Sequence, residues 1–209
     1  MKSTRYRIAL TGILSLWFLA SLWASANHVF SAGPDKPPFA LLGFAVIPVV
    51  LFIAWSQISQ SFRSFVLSLD PRTLTFLQSW RVVGFGFVAL EMYKILPSAF
   101  GLGAGYGDVF IGLTAPFVAL KMALPAYRNR FVLWQLLGIT DLAMAVGLGV
   151  ASRTSHPSTF AMSVLPLSIV PTFAVPVVLM LHLVCIAQAR HWRTSSEAQL
   201  QTRAQASIA

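Results

Sequence analysis

The sequence predicts an all-α integral membrane protein, a polytopic bundle of transmembrane helices. Of its 209 residues, 56% are hydrophobic and only 10% are charged, and the mean hydropathy is +0.73. A soluble domain carries about 25% charged residues, so a chain this apolar needs a bilayer as its solvent. Its apolar residues form long runs, near the roughly 20 that a helix needs to cross the hydrocarbon core. They lack the alternating pattern of a β-barrel.

Six such runs are present, and each predicts one membrane-spanning helix. They cover residues 8–26, 38–56, 74–96, 108–124, 131–150 and 164–188. The connections are short, so residues 1–190 are expected to form one domain, with a polar cytoplasmic tail at 191–209. The first run has the basic start and small-residue end of a secretory signal, but its length favours a retained helix over a cleaved one.

Lys and Arg residues lie mostly on one side of the predicted bundle. The other side has only Lys36 and Arg153. The basic side contains Lys2, Arg5, Arg7, Arg63, Arg72, Lys121, Arg128, Arg130, Arg190, Arg193 and Arg203. The positive-inside rule therefore predicts that both termini are cytoplasmic. It also explains the net charge of +9 without binding to nucleic acid.

Three ionisable residues lie inside predicted spans at similar depth. Arg81, Asp141 and His182 are each roughly 9–15 Å from the cytoplasmic end of their spans, at 1.5 Å per residue. Ionisable residues within a membrane bundle usually face inward and pair with one another. We therefore predict a contact between Arg81 and Asp141, with His182 nearby. Either this is a structural ion pair, or Asp141 titrates in an ion or proton path, with Arg81 as counter-charge and His182 as proton partner.

A second polar cluster is predicted toward the outer face. Glu91 and Lys94 are three residues apart and can pair on a helix surface. The glycine-rich segment 97–107 is either a re-entrant loop that lines a cavity or an ordinary tight loop. Asp108 would then cap the fourth span, with a cation site as the alternative. The candidate residues of this cluster are Glu91, Lys94, Gly103, Gly105, Gly107 and Asp108.

Two further segments contain residues that predict their local structure. Residues 62–69 either form a short amphipathic helix along the cytoplasmic interface or continue the second span. The sixth span contains Pro166, Pro171 and Pro176, and each proline removes a backbone donor. We expect kinks at Pro171 and Pro176.

The sequence contains no motif that predicts a catalytic, metal or cofactor site. Its single cysteine, Cys185, excludes an intrachain disulfide and a zinc site built from several thiolates. Histidines on two spans, as haem b would need, are not evident. No nucleophile and base have the spacing of a known catalytic arrangement, so no catalytic residue, metal ligand or cofactor is predicted.

Two regions, 80–116 and 165–183, resemble a group of small, uncharacterised bacterial integral membrane proteins. The glycine-rich run that ends in Gly107-Asp108 is the most specific part of this resemblance. The resemblance implies a multi-pass protein of the bacterial inner (plasma) membrane. It implies no activity, ligand or catalytic residue.

Three functions are compatible with these features. The first is transport or conduction of a small solute or ion along a polar path formed by Arg81, Asp141 and His182. The second is a non-catalytic subunit that binds a membrane partner or a second copy through small residues of the fourth and fifth spans. The third is an intramembrane enzyme that acts on a lipid or a quinone.

Overall fold

The computed structural model describes residues 2–32 and 37–192, and within these ranges it contains helices and turns but no strand. Six helical stretches are long and apolar enough to cross a membrane. They are Thr4–Ala26, Phe39–Ile58, Pro71–Met92, Ser98–Lys121, Pro125–Ala151 and Val170–Arg190. The chain is thus an all-helical integral membrane protein. Most of the predicted tail, residues 193–209, lies outside the described residues.

The described residues form eight α-helices and several tighter or wider helical turns, and every one of these α-helices except α3 belongs to a span. The α-helices are α1 (Lys2–Ala26), α2 (Phe39–Ile58), α3 (Gln60–Leu67), α4 (Pro71–Phe76), α5 (Phe85–Met92), α6 (Ser98–Lys121), α7 (Arg128–Ala151) and α8 (Val175–Arg190). A 3₁₀ segment, Leu77–Gly84, joins α4 to α5 in the third span. A π-helical turn, Val170–Ala174, begins the sixth span.

The segment after the second span forms a separate short helix, α3, rather than a continuation of α2. Ser59 is extended, with φ −103° and ψ 102°, and this residue ends α2. Its side chain then accepts a hydrogen bond from the backbone N–H of Phe62 (3.3 Å) and caps α3. Phe62 and Phe65 are buried, so the apolar face of α3 packs on the bundle.

The glycine-rich segment is helical, so both loop predictions for residues 97–107 are wrong. The fourth span begins at Ser98, and Asp108 lies inside α6 rather than capping it. Glycines on α6 allow the third span to approach closely. A Cβ added at Gly105 would lie 2.7 Å from Val88 Cγ2, and one at Gly112 would lie 2.5 Å from the Val82 amide nitrogen. Within a membrane, no hydrophobic driving force brings helices together. Close packing of this kind stabilises their association instead.

Two other span boundaries differ from those predicted. The third span ends at Met92, and Lys94 adopts a positive φ of 55° in the loop that follows. The sixth span begins at Val170, so Pro166 precedes it, whereas Pro171 lies in the π-helical turn. The helix is therefore irregular at Pro171, and the kink there stays a prediction. Pro176 lies in the first turn of α8, which continues directly from the π-helical turn, so its missing N–H falls inside the sixth span.

Two apolar clusters fill opposite ends of the bundle. The larger one lies at what we call the α3 end, where α3, the end of α6 and the start of α7 meet. Its most deeply buried members include Phe62, Ala115, Phe131, Cys185 and Ala189. The smaller cluster lies at the opposite end, which we call the cavity end, and contains Phe87, Leu96, Phe100, Ala104 and Met162. The polar site lies between these two clusters.

Candidate functional site

Arg81 is the centre of a polar network in the middle of the bundle. It lies in the 3₁₀ segment of the third span, and only 2% of its surface is exposed. Its Nε donates to Asp108 Oδ1 of α6 (2.7 Å), and Nη2 donates to Asp141 Oδ2 of α7. Its Nη1 lies 3.3 Å from Nε2 of His182 on α8. One arginine therefore joins four of the six spans.

The predicted contact between Arg81 and Asp141 is present, and His182 is nearby as expected. His182 is fully buried, but it bonds to Arg81 and Gln135 rather than to Asp141. Asp108 was predicted to belong to an outer cluster, and the structure places it in this central one. Its position depends on the helical conformation of the glycine-rich segment, for which the sequence predicts a loop.

The hydrogen bonds that lead away from Arg81 have definite donors and acceptors. An arginine can only donate, so His182 Nε2 accepts and the ring proton is on Nδ1. This N–H donates to Gln135 Oε1 (2.5 Å), and Gln135 Nε2 donates to Thr75 Oγ1 (3.3 Å). The Thr75 hydroxyl donates to the carbonyl of Pro71 (2.7 Å). This chain keeps His182 neutral and fixes its orientation.

Gln135 and Thr75 are fully buried members of the network that the sequence analysis did not identify. One signal could have revealed part of it. Thr75, Gln78 and Arg81 occur at intervals of three, and i and i+3 side chains lie on one face of a 3₁₀ helix. Gln78 is also buried, and its Nε2 donates to the carbonyl of Val178 on α8 (3.3 Å).

The central cluster carries an excess negative charge. Arg81 supplies one positive charge, and Asp108 and Asp141 supply two negative charges when both are ionised. Asp141 Oδ1 is buried and has no hydrogen-bond partner in the described part of the chain. This oxygen points at Gly107 of α6, since a Cβ added there would collide with it. The cluster thus offers a carboxylate oxygen that could take a proton.

A cavity of about 120 Å³ extends from this cluster to one end of the bundle. Asp108 forms part of its wall in the middle of the bundle, and Pro38 and Arg153 line it at the cavity end. Its remaining wall is largely apolar and includes Phe87, Phe100 and Ala145. The Asp108 side chain is 18% exposed, in contrast to the 2% of Arg81. Asp108 is therefore the member of the cluster that a solute in the cavity would meet.

The residues predicted to form the outer cluster do not share one site. Glu91 Oε1 accepts from Lys94 Nζ (2.8 Å) and from the Ser98 hydroxyl (2.6 Å), so the predicted Glu91–Lys94 pair forms. It lies at the end of the third span, away from Asp108. Gly103 and Gly105 face Leu148 and Val88, so they permit helix packing rather than line a path.

A second cavity, of about 240 Å³, lies at the α3 end. It is lined by Leu67, Pro71, Gln188, His191 and Trp192. None of these side chains contacts Arg81, Asp108 or Asp141 in the described part of the chain.

Comparison with known proteins gives a family but no activity. No curated protein and no solved structure matches the chain. Residues 37–190 match a family described as "Domain of unknown function (DUF8737)". The match covers the second to sixth spans and includes Arg81, Asp108, Asp141 and His182, whereas α1 lies outside it. The chain belongs to the DUF8737 family.

Proposed function

We propose that this protein is a proton-coupled transporter of a small solute in the bacterial inner membrane. One observation carries the proposal: Asp108 lies on the cavity wall and at the same time shares Arg81 with Asp141. A solute that binds beside Asp108 changes how strongly Arg81 is held there. Because Arg81 also neutralises Asp141, the proton affinity of Asp141 changes with it. Binding of solute and proton are then thermodynamically linked.

The excess charge of the cluster supports a proton as the coupling ion. An uncompensated buried charge is costly within a membrane. A proton on either carboxylate makes the cluster neutral, and Asp141 Oδ1 has no other partner to satisfy it. His182 keeps its ring proton bonded to Gln135, so it positions Arg81 rather than carrying the transported proton.

The different closure of the two ends supports transport over a purely structural ion pair. A structural pair needs no cavity, whereas here the cavity of about 120 Å³ reaches Asp108, and the cavity at the α3 end has no member of the central cluster in its lining. This is the arrangement of a transporter with access from one side, in which access would switch to the α3 end. The π-helical turn Val170–Ala174 lines the cavity through Val170 and Pro171. Such turns are frequent at functional sites, and we assign the movement to this turn.

The subunit alternative stays a prediction, but part of the surface proposed for it is used within the chain. It depended on small residues of the fourth and fifth spans as a surface for a partner. Gly105 and Gly112 face the third span, Gly107 faces Asp141 and Gly138 faces His182. These residues are used for packing within the chain. No contact among the described residues favours an enzyme that acts on a lipid or a quinone.

The proposed orientation places the α3 end in the cytoplasm, together with both termini. The positive-inside rule supports it, although Lys94 belongs to the opposite side because it lies in the loop after Met92. Lys36, Arg193 and Arg203 lie outside the described residues. The cavity would then open toward the periplasm.

Labelling of single cysteines in liposomes tests both orientation and alternating access. The background is Cys185→Ala, which removes the one native thiol. Ser155→Cys, at a half-buried position, and Ser64→Cys, at an exposed one, report the sidedness of a membrane-impermeant maleimide. Ala145→Cys reports the cavity, and Ala115→Cys, fully buried at the α3 end, reports opening to the cytoplasm.

We expect Ala145→Cys to react from the same side as Ser155→Cys. We expect Ala115→Cys to react from the Ser64 side, at a rate that depends on pH and loses that dependence when Asp141→Asn is added. A lack of reaction of Ala115→Cys at acidic and alkaline pH would overturn the transporter proposal. Reaction of Ser64→Cys from the periplasmic side would instead overturn only the orientation.

A further inference from the structure

We infer that the solute is a small organic cation with an apolar body, such as an alkylammonium ion, and that it is exchanged for one proton. This inference rests on the proposed transport function and adds the class of substrate and the direction of coupling. It follows from the polar atoms that face the cavity, from the size of the cavity and from the charge of the central cluster.

The cavity wall offers acceptors rather than donors near its inner end. Asp108 Oδ1 accepts from Arg81, and Asp108 Oδ2 has no hydrogen bond to the described part of the chain. The two hydroxyl groups on the wall use their protons within the protein. Thr159 donates to the carbonyl of Gly149 (2.6 Å) and Ser163 donates to that of Phe160 (2.6 Å). A ligand must therefore bring its own donor, and an ammonium group brings both donors and charge.

Arg81 gives an anionic ligand little access beside Asp108, because only 2% of its surface is exposed. The three nitrogens of the Arg81 guanidinium already contact Asp108, Asp141 and His182. Arg153 lines the cavity at its far end and has an interaction of its own. A carboxylate that entered the cavity would meet the negative charge of Asp108 instead of a cation. The electrostatics of the inner cavity thus favour a positive ligand.

The volume of the cavity and its apolar wall limit the size and the polarity of the part of the ligand beyond the ammonium group. An engineered apolar cavity of about 150 Å³ holds benzene, so the cavity of about 120 Å³ suits a slightly smaller molecule. The wall around Asp108 is formed by apolar side chains such as Phe87, Ala104 and Leu142. A short or branched alkyl chain would fill this space without leaving a polar group unpaired.

The charge of the cluster makes a bound cation and a bound proton mutually exclusive. The charged and titratable groups around Asp141 are Arg81 from the third span, Asp108 from α6 and, through Arg81, His182 from α8. With one proton on the carboxylates the cluster is neutral. When an alkylammonium ion binds at Asp108 Oδ2, neutrality is kept only if that proton leaves for water. One positive charge enters and one leaves, which is cation–proton exchange.

Isothermal titration calorimetry on the purified full-length protein tests this directly. The probes are isobutylammonium, which is protonated at neutral pH like a lysine side chain, and isobutanol, a neutral molecule of similar shape. Titrations in two buffers of different ionisation enthalpy give the number of protons released. For the wild type at mildly acidic pH we expect release approaching one proton per isobutylammonium. Linkage to one proton then weakens binding by up to about tenfold for each unit that the pH falls.

Three variants separate the contributions that the charge of Asp108, the proton on Asp141 and the cavity volume make to binding. Asp108→Asn should weaken isobutylammonium binding by about tenfold or more, because a hydrogen bond to a charged group is lost, and should affect isobutanol much less. Asp141→Asn should retain binding but release no proton. Ala145→Leu, which fills the cavity without a change of charge, should weaken both probes. Asp70→Asn is the matched control, since it removes a carboxylate outside the site and Asn caps a helix as well as Asp does.

Each outcome has a defined meaning. Equal affinity for isobutanol and isobutylammonium, or tighter binding of isobutanol, would overturn the assignment of a cation while leaving proton-coupled transport intact. Binding of isobutylammonium without proton release would overturn exchange. A lack of Ala115→Cys labelling at both acidic and alkaline pH would overturn the transport function itself, and that measurement needs no ligand.

Discussion

The two ends of the bundle differ in how they are closed. The α3 end is filled by aromatic and aliphatic side chains, among which Phe62, Ala115 and Phe131 are fully buried. The cavity end has fewer buried apolar side chains, and a space of about 120 Å³ extends there from Asp108. The polar cluster of Arg81, Asp108 and Asp141 lies between the two. Asp108 therefore borders an open space toward the cavity end, whereas the cavity of about 240 Å³ at the α3 end has none of these three residues in its lining.

The largest loss of stability is expected on removal of the positive charge of Arg81, which pairs with both carboxylates of the central cluster. Arg81→Met leaves two carboxylates without their counter-charge, and loss of one partner from a buried ion pair costs about 3–5 kcal/mol. The free energy of unfolding in mixed micelles measures this. Arg63→Met is the control, because Arg63 is exposed on α3 and its loss should change stability little.

A rescue experiment sharpens this prediction. Asp108→Asn and Asp141→Asn, added together to Arg81→Met, remove the uncompensated charges and should recover much of the lost stability. If the triple variant is as unstable as Arg81→Met alone, packing of the arginine side chain matters more than its charge. The polar centre would then be stabilised mainly by packing, as the apolar α3 end is.

The difference between the two ends themselves can be tested with one matched pair of substitutions. Phe131→Ala at the α3 end should cost about 3–5 kcal/mol, as is typical of a buried phenylalanine. Phe100→Ala at the cavity end should cost less, because part of that ring faces the cavity and has fewer packed atoms to lose. Equal losses of unfolding free energy would show that both ends are packed equally well and would contradict the one-sided closure.

A smaller effect is expected where the backbone of α6 approaches Asp141. A methyl group at Gly107 would collide with Asp141 Oδ1, so Gly107→Ala should destabilise the protein by about 1–3 kcal/mol, as overpacking does. A methyl group at Gly147 of α7 meets no atom within 4 Å. Gly147→Ala should be neutral or stabilise the protein by up to about 1 kcal/mol, because alanine is the better helix former. If the two variants are equally stable, Asp141 is not held against α6.

The sequence was sufficient to predict the membrane class, the six spans and the Arg81–Asp141 contact. These depend on hydropathy and on the strong tendency of buried charges to pair. The position of Asp108 could not be predicted, because alternating glycines at 101, 103, 105 and 107 usually favour a loop in isolation. Here they form a helix because the third and fifth spans pack against them. Gln135 was missed for a related reason: its role arises only from the bonds that lead away from His182. Thr75 was missed although it is spaced at intervals of three from Gln78 and Arg81.

The smallest effect is expected at the surface of the α3 end, where a carboxylate caps a helix and lies outside the membrane-spanning segments. Asp70 accepts from the backbone N–H groups of Arg72 (3.2 Å) and Thr73 (3.1 Å) and from the Thr73 hydroxyl (2.7 Å). The hydrogen bond from the Thr73 side chain is the main cause of a lowered pKa of Asp70. Asp70→Ala should cost about 1 kcal/mol through loss of the cap, and Asp70→Asn should cost little.

The pH dependence of this cap follows from the lowered pKa. A carboxyl group with a lower pKa in the folded state stabilises the protein fully above its unfolded pKa of about 3.9. The stability difference between the wild type and Asp70→Ala should therefore be constant near neutral pH and shrink as the pH falls below about 4. Unfolding of both proteins as a function of pH measures this difference. A difference that is unchanged in acid would show that the hydrogen-bonding geometry of the cap, rather than its ionised form, stabilises α4. The α3 end would then owe its stability to packing and neutral hydrogen bonds alone, in contrast to the charged centre that it seals.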